Sequence, residues 1–110
     1  MFHVKQEEKK MKTLNKKHLK TINDLIFTIR TNNDCRNNID NKDVQTDEEK
    51  TFSTYLFWDT RLVSVELYEN YGIALLNKCT LENVIAEKEA IISRHDRAYI
   101  RWQEAKQKVA

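Results

Sequence analysis

The sequence predicts an all-α fold, an elongated antiparallel three-helix bundle with a dimer as its natural variant. Three observations point there. The 110 residues hold one glycine, Gly72, and no proline, so the usual breakers of long helices are missing. Apolar residues recur at helical spacing in three long segments. An Asn/Asp-rich stretch separates the first two of these segments. Residues 1–110 suit a single helical domain: 40% are apolar and can build a core, while 33% are charged and must stay solvated.

The first helix is expected over 5–32. Leu14, His18, Ile22, Leu25 and Ile29 make one stripe, flanked by Leu19 and Ile26. Residues 1–10 are expected to fray, and Met11 offers a second start. Residues 33–46 are nearly devoid of apolar side chains apart from Ile39 and Val44. Their Asn and Asp side chains compete for backbone groups, so this stretch reads as a polar loop. Thr46-Asp47-Glu48-Glu49 then signals a helix start, with Thr46 as cap and acids at the positive end of the dipole.

The segment 48–78 supports two readings. As a helix it shows a wide stripe: Phe52, Leu56, Val63 and Leu67 on one face, Tyr55, Trp58, Leu62, Val65 and Leu76 on the next. Such width suits a helix packed on two sides. The alternative is an α+β fold with a central β-hairpin at 51–68, since Thr51–Phe57 and Leu62–Tyr68 are rich in aromatic and β-branched residues. The turn it needs, Trp58-Asp59-Thr60-Arg61, has no Gly or Asn to supply positive φ, which favours the helix. A break near Asn70-Tyr71-Gly72 is compatible with either. The last helix is expected from Thr80 as N-cap. Val84, Ile91, Ala98, Trp102 and Ala105 form its stripe, with acids early and bases late, the order the dipole favours.

One glycine excludes a P-loop and a GxGxxG turn, so the common phosphate and dinucleotide cradles are absent. No apolar run approaches the roughly 18–20 residues that span a bilayer. The basic N-terminus has no apolar stretch behind it to make a signal peptide. A cytoplasmic protein without membrane insertion is expected, with Cys35 and Cys79 as reduced thiols. His3, His18, His95 and the two cysteines lack metal-ligand spacing, so no metal and no cofactor is expected. His18 and His95 fall on apolar stripes, and no serine or cysteine has a recognisable base, so no catalytic residue and no enzyme activity is expected.

Two binding classes remain. Tyr55, Trp58, Tyr68 and Tyr71 are too many large aromatics for one face of a slim bundle, and exposed Trp and Tyr anchor protein interfaces. The first expectation is therefore a small non-catalytic interaction module that docks a protein partner or a second copy. The Lys- and Asn-rich composition fits an AT-rich genome, and a regulator, inhibitor or immunity factor of a bacterial mobile element or phage is the expected setting. The second is a DNA- or RNA-binding accessory protein using Lys9, Lys10, Lys12, Lys16, Lys17 and Lys20 with Arg94, Arg97 and Arg101. Against it, an up-down-up bundle would set the first lysines beside Glu82, Glu87 and Glu89. It would also set Asp40, Asp43, Asp47, Glu48 and Glu49 beside Arg101, Lys106 and Lys108, so that the charges offset one another.

Overall fold

The computed structural model describes residues 16–109. Among them the chain forms four helices and no strand: α1 Lys16–Asp40, α2 Asp47–Tyr71, α3 Lys78–Ala86 and α4 Lys88–Val109. None is long and apolar enough to cross a membrane. The expected helix portion before Lys16, with Lys9, Lys10 and Lys12, lies outside the described residues.

The helix predicted to stop at 32 continues to Asp40, so the expected polar loop 33–46 shrinks to 41–46. Packing overrides local preference here. Ile39 is buried, and the Ser53 hydroxyl of α2 donates to the Asp40 carboxylate at 3.3 Å. Helix α2 begins as its sequence signals. Thr46 Oγ1 accepts from Glu49 N–H at 3.1 Å while Glu49 Oε1 accepts from Thr46 N–H at 3.0 Å, a complete capping box.

The hairpin alternative is not formed: 51–68 lies within α2, where Val65 and Leu67 are buried on opposite sides and the hydroxyl-bearing residues find acceptors in the helix itself. Thr60 donates to the Leu56 carbonyl at 2.8 Å and Ser64 to the Thr60 carbonyl at 2.7 Å, both out of solvent. The break falls where Gly72 allows it. Its φ of 70° is left-handed, and its N–H closes the helix on the Tyr68 carbonyl at 2.9 Å. The last predicted helix is divided. Asn77, not Thr80, caps α3, accepting from Thr80 N–H at 2.8 Å, and Glu87 leaves helical geometry between α3 and α4.

Val65 and Leu67 explain the wide stripe of α2. Two residues apart, they point about 200° apart around the helix, and both are fully buried. Val65 joins Leu81, Val84 and Ile91, with Trp58, Leu62, Leu76 and Ile85 packed around them. Leu67 joins Ile22 and Ile29, with Leu25, Ile26, Val63, Tyr71 and Ile73 around them. The connection after Gly72 serves both clusters, Ile73 in one and Leu76 in the other.

Helix α2 is thus the middle of a slab. Antiparallel α1 packs on one side and antiparallel α4, joined by α3, on the other, while α1 packs on neither α3 nor α4. The described residues span 56 × 28 × 23 Å. In the expected bundle the first helix would lie beside the last; here they are kept apart by α2.

Candidate functional site

The aromatic residues singled out in the sequence do not share one surface. Tyr55 lies between α2 and α4, with Trp102 stacked at 5.4 Å, His95 at 5.0 Å and Tyr99 edge-on at 5.5 Å. Phe52 extends the stack to Trp102 at 4.4 Å. Burial raises the Tyr55 phenol above its ordinary pKa, helped by the Asp59 and Tyr99 charges. Trp58 packs on the Val65 cluster and meets the Phe57 ring edge-on at 4.9 Å. Tyr71 packs toward α1, its ring 6.3 Å from that of His18. Of the four, Tyr68 alone is exposed. The apolar side chains open to solvent on α4 are Ile92, Tyr99 and Ile100.

Asp59 ties all three long helices together. Its Oδ2 accepts from Asn32 Nδ2 of α1 at 2.9 Å, and its Oδ1 lies 3.1 Å from His95 Nε2 of α4. A carboxylate only accepts, so Nε2 carries the proton. This is a satisfied structural link: the half-buried acid has one donor on each oxygen, and no nucleophilic side chain bonds to the imidazole. Cys35 is half-buried and Cys79 exposed, both as free thiols. Among the described residues no group of three or more His, Cys, Asp or Glu could hold a metal ion.

Three of the described lysines meet carboxylates: Lys42 with Glu49, Lys88 with Glu69 at 2.8 Å, and Lys78 with Glu82 at 4.0 Å. Arg30, Arg36, Arg61, Arg94, Arg97 and Arg101 form no ion pair among the described residues. Three of these arginines sit on rings instead. Arg61 lies 3.8 Å and Arg36 4.8 Å from the Phe57 centroid, and Arg94 lies 5.4 Å from that of Trp58.

Phe57 and Trp58 touch, so these contacts run continuously from α1 across α2 to α4. Arg94, Arg97 and Arg101 continue the row along one flank of α4, at i, i+3 and i+7. Arg101 then shares an open groove with Lys50, Thr51, Thr54 and Ala98.

The expected offsetting of charges is not what the described residues do. Glu49 pairs with Lys42, and Arg101, Lys106 and Lys108 form no ion pair there; Lys106 sits 4.7 Å from the Trp102 centroid. Glu82 and Glu87 lie on the α3 side of the slab, away from α1. The predicted lysines and arginines are also not brought together. Lys16, Lys17 and Lys20 are exposed at the start of α1, beside the Tyr71 end of α2. Arg94 meets α2 at Trp58, about 20 Å away along that helix at 1.5 Å per residue. Arg36, Arg61 and Lys50 belong to this surface without having stood out in the sequence. The Phe57–Arg61 spacing of four carried a usable signal, because it stacks the two side chains on a helix.

No protein-family model matches the chain, and no curated protein or solved structure shows significant similarity to it.

Proposed function

We propose that this chain is a non-catalytic nucleic-acid-binding accessory protein whose working surface is the arginine row from Arg36 and Arg61 through Arg94, Arg97 and Arg101 to Lys50. One observation carries the reading: six arginines without an ion pair among the described residues, five of them in a row in which Arg36, Arg61 and Arg94 rest on Phe57 and Trp58. Arginine is the side chain best shaped for bidentate ion pairs, and none of the six is tied to a carboxylate among the described residues. The Phe57 and Trp58 rings already carry guanidinium groups, which leaves phosphates rather than bases as the natural contacts. Binding would then be indifferent to sequence and steeply salt-dependent.

Fluorescence anisotropy with labelled single-stranded RNA and duplex DNA across a salt series tests it. Wild type should bind at near-physiological salt with a negative log–log slope. Replacing Arg94, Arg97 and Arg101 by alanine should flatten that slope by about 1 for each phosphate no longer neutralised. Alanine at Lys16, Lys17 and Lys20 should leave affinity within about twofold, since those side chains lie off the row. Absence of binding, or lysine variants that weaken it as much as the arginine ones, would sink the reading.

A second reading keeps one observation of its own. Ile92, Tyr99 and Ile100 are 37%, 45% and 55% exposed on α4. They suit a docking ridge for a protein partner or a second copy, as a regulator or inhibitor would use. Failure of the anisotropy experiment moves the weight to this ridge.

A further inference from the structure

The strongest local anomaly in the row is the pair of arginines on one ring. Arg61 reaches the Phe57 face from four residues further along α2, and Arg36 reaches it from α1. Two like charges are thus fixed against one benzene ring. Phe57 itself meets Trp58 edge-on.

Nothing described in the protein neutralises the pair. Asp40, one turn beyond Arg36, accepts from Ser53. Asp59, two residues from Phe57, is occupied on both oxygens by Asn32 and His95. The Arg36 Nε–H is shut off from solvent and has no hydrogen-bond partner among the described residues. A buried donor left without an acceptor is a cost the fold carries. Burial lowers the Arg61 pKa below its ordinary value, and the charge of Arg36 lowers it further. The arrangement is therefore held in a state that an arriving anion would relieve at once.

Resting on the nucleic-acid reading above, we infer that Arg36 and Arg61 on Phe57 form an oxyanion clasp that takes one phosphate group and fixes the register of a bound strand. The two forks supply charged N–H donors to phosphate oxygens, and a side chain with one unsatisfied donor has reason to shift toward an acceptor. The ring keeps both forks from collapsing onto nearby carboxylates while the clasp is empty. A phosphate from a strand and a free phosphate share this chemistry, and the test separates them.

The test uses the full chain labelled for arginine Nε–Hε NMR signals, titrated separately with inorganic phosphate, a short single-stranded oligonucleotide and a hexaglutamate peptide. Arg36 and Arg61 signals should move together and saturate with phosphate and with the oligonucleotide, while Arg30 stays still. R61K keeps the charge but loses the fork, and should weaken the phosphate response about tenfold; its amide spectrum reports that it is folded.

Silence of both signals toward phosphate and oligonucleotide overturns the clasp. Oligonucleotide binding that moves Arg94, Arg97 and Arg101 but neither Arg36 nor Arg61 also overturns it and leaves the wider reading standing. Phosphate saturation without oligonucleotide binding keeps the clasp, assigns it to a free phosphate and removes the nucleic-acid reading. A response to hexaglutamate alone replaces phosphate with an acidic protein segment.

Discussion

The two sides of α2 are built from different materials. Toward α1 the seam is mostly aliphatic: Ile22, Ile29 and Leu67 with Val63, Leu25, Ile26, Ile73 and Tyr71 around them. Toward α4 one end is aliphatic, around Val65, and the other is a stack of Phe52, Tyr55, Tyr99 and Trp102. The aliphatic seam is held by area removed from water, which has no directional demands. The aromatic seam adds ring geometry and polar edges, and its rings stay half open to solvent. The difference teaches where stability and binding divide. The closed clusters fix the slab, while Phe57, Trp58 and Trp102 offer rings on which charged side chains rest.

Three substitutions bear on that division. The largest effect is expected from Leu67→Ala, which empties a fully buried site in the aliphatic seam. It should lower stability by about 3 kcal/mol in urea unfolding. Trp102→Ala removes the central ring of the aromatic stack, but that ring is partly open to water, so about 2 kcal/mol is expected. Equal losses from the two variants would erase the distinction between the seams.

The smallest effect lies outside both seams. Lys42 and the Thr46 backbone hold the Glu49 carboxylate below its ordinary pKa of 4.5. The folded form therefore favours the ionised acid, and its contribution is present above that ordinary value and fades as pH falls through the lower folded one. Glu49→Gln keeps the reach of a capping box but not the charge. Its urea midpoint should fall short of wild type at neutral pH and converge with it on acidification. A gap that widened in acid would contradict the sign of the shift.

Much of this layout could be read from the chain. Thr46 and Glu49 announced the start of α2, Gly72 its end, and the wide stripe of 52–67 its two packed sides. Those features are local, and their physics acts within one turn. The rest depended on partners far away in sequence. Residues 33–40 look like loop because Asn and Asp prefer turns, yet Ile39 finds a buried place and holds the helix on. Arg36 does not stand out in the sequence because it sits in that stretch, and Arg61 because it falls in the turn of the rival hairpin. The aromatic residues are a surplus only in a closed bundle. In a slab, α2 has two long sides to cover and uses most of them there.

The separation of α1 from α4 also bears on how the chain finds its fold. Each long helix meets α2 by folding back antiparallel, α1 through the short connection at 41–46 and α4 through 72–87, which includes α3. Helices α1 and α4 need not find each other, since among the long helices each packs on α2 alone. Two helical hairpins share one strut, so the order in which they close is set by whichever flank first finds α2.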